Sequence, residues 1–104
     1  MPWIPACPSD TLNHGAFVLF TTPEGDELLI ARTDEGLHCV INECSHDRRG
    51  FNGGCIEAGL LVCPRHGARF CLRTGKALTP PAYEDLECFE VKEEEGQIWV
   101  KLED

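Results

Sequence analysis

The chain lacks a long hydrophobic run, a sustained helical period and an excess of basic charge. None of its apolar stretches approaches the roughly 20 residues that a membrane-spanning helix needs, so we expect no membrane anchor. Apolar residues do not recur at helical spacing over any long window, which argues against a helical bundle. Nine Lys and Arg against 18 Asp and Glu give a net charge of −9. This acidic balance is atypical of proteins that bind nucleic acid.

The N-terminus also lacks the marks of a secretory signal. Residues 1–8 carry neither a charged leading segment nor a continuous apolar segment, and both are typical of such signals. The seven cysteines are therefore expected to be thiols or metal ligands rather than a disulfide framework. We predict a single cytoplasmic domain spanning residues 1–104, monomeric by default.

Short apolar or alternating runs separated by Gly, Pro and Asp predict an all-β fold of antiparallel strands. The predicted strands are 16–20, 27–32, 37–42, 59–62, 68–72, 86–92 and 97–102. The first three form a meander and the last two a C-terminal hairpin. Residues of about 43–77 are predicted to be inserted between them as a separate subdomain of loops.

Two short motifs within this insertion carry the chemistry. The first is Cys44-Ser-His46 and the second, after sixteen intervening residues, is Cys63-Pro-Arg-His66. Each supplies one thiolate and one imidazole. Such alternating pairs suit a two-iron cluster in which one iron takes both cysteines and the other takes both histidines.

The spacing of these motifs, together with Gly67-Ala-Arg-Phe70 after the second, resembles the Rieske iron–sulfur family. The resemblance covers essentially the whole chain and implies one [2Fe–2S] cluster held by Cys44, His46, Cys63 and His66. It implies a Rieske-like antiparallel β base that carries a cluster-binding subdomain. It further implies a soluble ferredoxin that passes single electrons from a flavoprotein reductase to an oxygenase, and that is not itself an enzyme. The proline loop of the family suggests that Pro80-Pro81 covers the cluster.

The same resemblance implies a low reduction potential. Ligation by two histidines places Rieske centres at roughly −150 to +300 mV. The high-potential members brace their loops with a disulfide, but Arg65 stands at the matching position of the second loop here. Neither Ser nor Tyr follows His66 where those members place hydroxyl donors to the cluster. We therefore expect a potential near the low end of the range.

Charge is divided unevenly along the chain. Residues 44–76 contain six basic side chains and two acidic ones, whereas the remainder contains three basic and sixteen acidic. A dipolar protein of this kind can orient in the field of a charged partner before contact. Ordinary solvation of the surface explains the same arginines equally well.

Five cysteines lie outside the motifs. We expect those on predicted strands, Cys39, Cys71 and Cys88, to be small buried hydrophobes. Cys7 and Cys55 fall in predicted loops and are expected to be more reactive.

Three alternatives stay open at this point. Cys₂His₂ is also a tetrahedral zinc set, which would make the chain a structural interaction module. The chain could instead be the Rieske-like small subunit of a nitrite reductase or of another redox complex. It could also be an accessory protein of cluster assembly or sulfur metabolism.

We predict that His66→Cys retains the cluster and lowers its reduction potential, because an added thiolate increases the negative charge on the centre. Voltammetry of the purified variant measures the change. His14→Cys, which adds a thiol outside the motifs, serves as the control and should leave the potential unchanged. A potential in the His66 variant equal to or above wild type contradicts the charge argument.

Overall fold

The computed structural model describes residues 3–44, 50–64, 67–79 and 84–102. These residues form nine strands and one short 3₁₀ turn, so the predicted all-β class is confirmed. In chain order the elements are β1 Trp3–Pro8, the 3₁₀ turn Ser9–Thr11, β2 Phe17–Thr21, β3 Glu27–Thr33, β4 Gly36–Ile41, β5 Cys55–Glu57, β6 Leu60–Val62, β7 Arg69–Cys71, β8 Cys88–Glu94 and β9 Gln97–Lys101. Within the described ranges, no helix is long and apolar enough to cross a membrane.

The strands form two antiparallel sheets. A six-stranded sheet has the order β1-β9-β8-β4-β3-β2, and a three-stranded sheet has the order β5-β6-β7. The predicted meander corresponds to β2, β3 and β4, and the predicted hairpin to β8 and β9. The hairpin turns at Glu95 and Gly96, whose φ angles of 54° and 78° are those of a tight two-residue connection.

Two strands were not predicted from the sequence. β1 contains Pro5 and Pro8, which argue against a central strand. It nevertheless forms because it lies at an edge of the six-stranded sheet, where proline is tolerated. β5 has only three residues, and its pairing with β6 forms through a turn in which Ala58 adopts a φ of 52°.

Strand β3 is buried on both faces, which explains its continuous apolar sequence. Leu28 and Ile30 on one face join a core with Cys39, Ile98 and Val100. Leu29 and Ala31 on the other face join a second core. That second core continues under the three-stranded sheet, through Leu61 of β6 and Phe70 of β7. The two sheets are therefore joined by one apolar interior.

A glycine in the turn after β7 links this sheet to the chain leading into β8. The Gly75 N–H donates to the Cys71 carbonyl at 2.6 Å, and the Leu86 N–H donates to the Gly75 carbonyl at 2.7 Å. Gly75 has a φ of +78°, and a Cβ placed on it would collide with the Leu86 carbonyl oxygen and lie 2.8 Å from Cys88 Sγ. Both the backbone angle and the space require glycine here.

We predict that Gly75→Ala lowers the free energy of unfolding by about 2–4 kcal/mol, the sum of a left-handed backbone penalty and overpacking. Urea denaturation measures the loss. Gly96→Ala is a matched control, since Gly96 has the same φ of +78° with open space around it. That variant should lose only about 1–2 kcal/mol, the backbone penalty alone. Equal losses in the two variants would contradict the packing argument.

Candidate metal centre

Both motif cysteines enter the same apolar core from the ends of strands. Cys44 follows β4 by three residues and is completely buried. Cys63 directly follows β6 and is 1% exposed. Each packs in the core that contains Phe51, Leu61 and Phe70. Two thiols far apart in sequence are thus brought into one water-excluded region.

The second motif is held by a closed turn. The Cys63 N–H donates to the Ala68 carbonyl at 2.8 Å, and the Gly67 N–H donates to the Cys63 carbonyl at 3.0 Å. Gly67 has a φ of +73°, which lets the chain turn back at this point. Ala68 is completely buried behind the turn. These two bonds fix the backbone of Cys63 at the start of its loop.

The described residues that flank the first motif, Asn42 and Phe51, are held close together. The Phe51 N–H donates to Asn42 Oδ1 at 2.9 Å, so residues 43–50 lie between two positions joined by a hydrogen bond. Phe51 also accepts from the Gly54 N–H at 2.8 Å. This turn lies in the segment of about 43–77 that the sequence predicted to contain loops, whereas no sequence pattern indicated the role of Asn42.

Gly54 lets the first loop approach the second. A Cβ on Gly54 would collide with the Val62 carbonyl oxygen, lie 3.0 Å from the Phe51 carbonyl oxygen and lie 3.3 Å from Pro64 Cδ. The last residue of β6 and the segment that follows the first loop are therefore packed backbone against backbone. Only glycine permits this spacing.

An aromatic pair joins the end of the first loop to β7 inside the core. The rings of Phe51 and Phe70 are perpendicular, with centroids 5.6 Å apart and an interplanar angle of 85°. Edge-to-face pairs of this kind contribute about 0.5–1.5 kcal/mol beyond the burial of their area. Both rings are completely buried in the core that holds the two cysteines.

The described basic residues near this end lie at the surface. Arg69 Nη1 pairs with Glu57 Oε1 at 2.9 Å, and both side chains are about half exposed (41% and 56%). Such a pair contributes at most about 1 kcal/mol. Arg73 and Lys76 are exposed as well. The region therefore presents positive charge to solvent rather than burying it.

The two histidines of the motifs, His46 and His66, lie outside the described residues, and so does the predicted Pro80-Pro81 cover. The remaining histidines make local contacts. His14 Nε2 lies 2.7 Å from Asp34 Oδ1, and His38 Nε2 lies 2.9 Å from Thr33 Oγ1. Burial lowers the pKa of His38. Among the residues that the structure describes, no group of three or more His, Cys, Asp or Glu side chains is arranged to hold a metal ion.

The donor set fits a cluster with two thiolate ligands. Cys44 and Cys63 are buried among aromatic and aliphatic side chains, and the described cysteines form no disulfide. Buried thiolates are stable only when a positive partner such as a metal balances their charge. The two loops also begin on hydrogen-bonded backbone, as pre-organised ligands require.

The other cysteines differ from one another in environment. Cys39 is 2% exposed, and burial raises the pKa of its thiol to about 12. The predicted loop positions of Cys7 and Cys55 are wrong, because Cys7 is half-buried on β1 and Cys55 is exposed on β5. The expectation that Cys88 is buried is wrong, because the strand begins at this residue and leaves its side chain at the surface.

Cys71 and Cys88 lie near the same turn, but the pKa values of their thiols are shifted in opposite directions. A hydrogen bond from the Thr74 hydroxyl lowers the pKa of Cys71, with further bonds from the Thr74 and Arg73 backbone. Desolvation raises the pKa of Cys88, and the negative charges of Cys71 and Asp85 add to this effect. Cys71 is therefore the more acidic thiol.

Comparison with known proteins agrees with this geometry. Residues 2–90 match the family model described as the Rieske [2Fe–2S] domain. The chain is similar to the ferredoxin subunit of 3-phenylpropionate/cinnamic acid dioxygenase from Escherichia coli (strain K12), with 36% identity over 93% of this chain and 91% of that protein. It is 31% identical to the ferredoxin component of the naphthalene 1,2-dioxygenase system from Pseudomonas putida, over 96% and 95% of the two chains.

Among solved structures, it is similar to the ferredoxin of carbazole 1,9a-dioxygenase from Nocardioides aromaticivorans IC177. The TM-score is 0.91 at 25% identity, over 99% of this chain and 100% of that one.

We predict that alkylation by iodoacetamide, followed peptide by peptide with mass spectrometry, reaches half its maximal rate at a lower pH for Cys71 than for Cys88. The thiolate is the reacting form, so the order of rates follows the order of pKa values. Cys39 should stay unmodified up to about pH 9, since its pKa is about 12. Thr74→Val should move the Cys71 profile to higher pH. A Cys71 profile at or above that of Cys88 would contradict the assignment.

Proposed function

This chain belongs to the Rieske [2Fe–2S] domain family, and from that premise we propose that it is a one-electron carrier that delivers electrons to the oxygenase of a dioxygenase system. The observation that carries the proposal is the burial of Cys44 and Cys63 in one core, each at the end of a strand. The curated relatives are named ferredoxin components or subunits of dioxygenase systems. They are electron-transfer subunits rather than catalytic enzymes.

We propose that the cluster ligands are Cys44 and Cys63 on one iron and His46 and His66 on the other. The bound [2Fe–2S] cluster supplies the capacity to accept and release one electron. The chain holds the two thiol ligands away from water, so that the bound irons would have to balance the charge of their thiolates. The closed turn from Cys63 to Ala68 and the bond between Asn42 and Phe51 keep both loops in place before the cofactor is bound.

We also propose a division of labour within a single domain of residues 1–104. The six-stranded sheet is the base, and the segment of about 43–77, which contains β5, β6 and β7, is the cluster-binding subdomain. The packing of the two sheets supports this division. Leu61 and Phe70 of the three-stranded sheet pack on Leu29 of β3 and Val40 of β4, so the smaller sheet lies on one face of the larger one. Movement of one part relative to the other would open this apolar interior.

The proposed partners are a flavoprotein reductase as donor and a terminal oxygenase as acceptor. The relatives named above serve dioxygenases of different aromatic compounds, so no substrate is assigned to this chain. The excess of basic groups in residues 44–76 over an otherwise acidic chain supports docking through the cluster end. A monomeric state and a cytoplasmic location stay predictions.

The family match bears differently on the zinc module and on the nitrite reductase subunit. A structural zinc module is disfavoured, because the matched family holds a [2Fe–2S] cluster. A small subunit of a nitrite reductase shares the fold class and differs in its partner. Electron transfer to an oxygenase is therefore the decisive measurement.

We predict two irons, two acid-labile sulfides and no stoichiometric zinc per chain in anaerobically purified protein. Once reduced with dithionite, the protein should be reoxidised by a dioxygenase terminal oxygenase with its aromatic substrate and oxygen. Cys63→Ser should lose the iron, whereas Cys55→Ser, at an exposed cysteine outside the motifs, should keep it. One zinc and no sulfide would refute the ligand assignment. Iron and sulfide without reoxidation by any oxygenase would refute the proposed partner alone.

A further inference from the structure

Asn42 is a buried polar residue at the start of the first ligand loop. It is 5% exposed, and Thr22 at 4% is the other buried polar residue among those described. A polar group in an apolar interior is costly unless its hydrogen bonds are made. Asn42 directly follows β4 and precedes Cys44 by two residues. Its partners therefore decide how the loop leaves the sheet.

Three hydrogen bonds surround Asn42. Its Oδ1 accepts from the Phe51 N–H at 2.9 Å, and its Nδ2 donates to Glu27 Oε1 at 2.7 Å. Its backbone N–H donates to the Glu27 carbonyl at 2.9 Å. Glu27 is the exposed first residue of β3, so one side chain connects the base sheet to the far end of the ligand loop.

The orientation of the Asn42 amide is dictated by these partners. An ionised carboxylate only accepts, and a backbone N–H only donates. The amide nitrogen must therefore face Glu27 and the amide oxygen must face Phe51. The Glu27 charge strengthens its bond to the amide and holds the oxygen toward Phe51.

The space around Gly50 fits this arrangement. A Cβ on Gly50 would lie 2.7 Å from Asn42 Nδ2 and 3.0 Å from Asn52 Oδ1. The last residue of the loop therefore packs directly on the Asn42 amide. Phe51 next to it is completely buried against Phe70, in the core that holds Cys44 and Cys63.

We propose that Glu27 and Asn42 act together as positioning residues for the cluster, by holding Phe51 beside the end of β4 and so fixing Cys44 relative to Cys63 in the core that the three residues share. We call these two residues the loop clamp. The inference rests on the ligand assignment under Proposed function. It adds a residue far from the ligands in sequence, Glu27, whose carboxylate controls the loop through the Asn42 amide.

The test uses variants of purified holoprotein that change the charge at positions 27 and 42 while keeping side chains of similar shape. Asn42→Asp keeps an acceptor for the Phe51 N–H but places a carboxylate against Glu27, so the two like charges repel. Glu27→Gln keeps a side-chain acceptor without the charge. The double variant Asn42→Asp/Glu27→Gln reverses the polarity of the pair, because the new carboxylate accepts from both the Phe51 N–H and the new amide.

The readouts are the rate of iron release to a chelator and the electron paramagnetic resonance spectrum of the reduced protein. We expect Asn42→Asp and Asn42→Ala to release iron about 10–100-fold faster than wild type, the usual range for supporting residues of metal sites. Both should also shift the spectrum. Glu27→Gln should have a smaller effect of the same sign, and the double variant should return to within about twofold of wild type.

Thr22→Val is the matched control. Thr22 is equally buried, and its Oγ1 accepts from the Asp26 N–H at 3.1 Å, within the turn before β3. Its loss should lower the thermal midpoint of unfolding without changing the spectrum or the rate of iron release. If Thr22→Val releases iron as fast as Asn42→Ala at an equal loss of stability, the effect is global destabilisation and the clamp is refuted.

Two further outcomes are decisive. Failure of the double variant to recover, with Asn42→Asp still impaired, refutes the pairing of Glu27 with Asn42. If Asn42→Ala does not fold, the comparison between Asn42→Asp and the double variant is sufficient to test the clamp.

If the wild-type protein binds no iron, the ligand assignment is refuted, and the clamp is refuted with it. Failure of the clamp alone would instead leave a wild-type protein that binds iron, so the two results can be told apart.

Discussion

The structure depends on one constraint: two cysteines nineteen positions apart must meet inside an apolar core without water. Strands β4 and β6 deliver them there, Cys44 after the first and Cys63 after the second. Neither thiol is held by its own strand alone. The backbone bonds of the Cys63 turn, the Asn42 bond to Phe51 and the close approach at Gly54 hold the loops before any ligand bond contributes.

The division into two sheets follows from this constraint. The two buried cysteines need an apolar surface to pack on, and the face of β3 that contains Leu29 and Ala31 supplies it. The opposite face of the same strand stabilises the remainder of the base. Residues Leu28 to Ala31 thus contribute to both cores, which explains why these four positions in β3 are all apolar.

Most of the strands could be predicted from the sequence, and so could the two cysteines of the candidate site. Alternating runs predicted β2, β3, β4 and the terminal hairpin, because each buries at least one face. β1 was not predicted because it contains two prolines, and β5 was not predicted because three residues are too few to show a periodic pattern. Cys44 and Cys63 were found through their spacing to histidines. Asn42 and Glu27 could not be found in this way. Fifteen residues separate them, and a single side-chain hydrogen bond between distant residues leaves no pattern in the sequence.

The perpendicular rings of Phe51 and Phe70 have a further consequence for how the protein is assembled. Phe51 follows the first loop and Phe70 lies on β7, so separating these two segments would expose apolar surface on both. With the proposed ligands, binding of the cluster at one cysteine therefore favours the packed position of the other. Loading of the centre should be cooperative, and a population of chains should consist of fully occupied and fully empty molecules with few half-assembled ones between them.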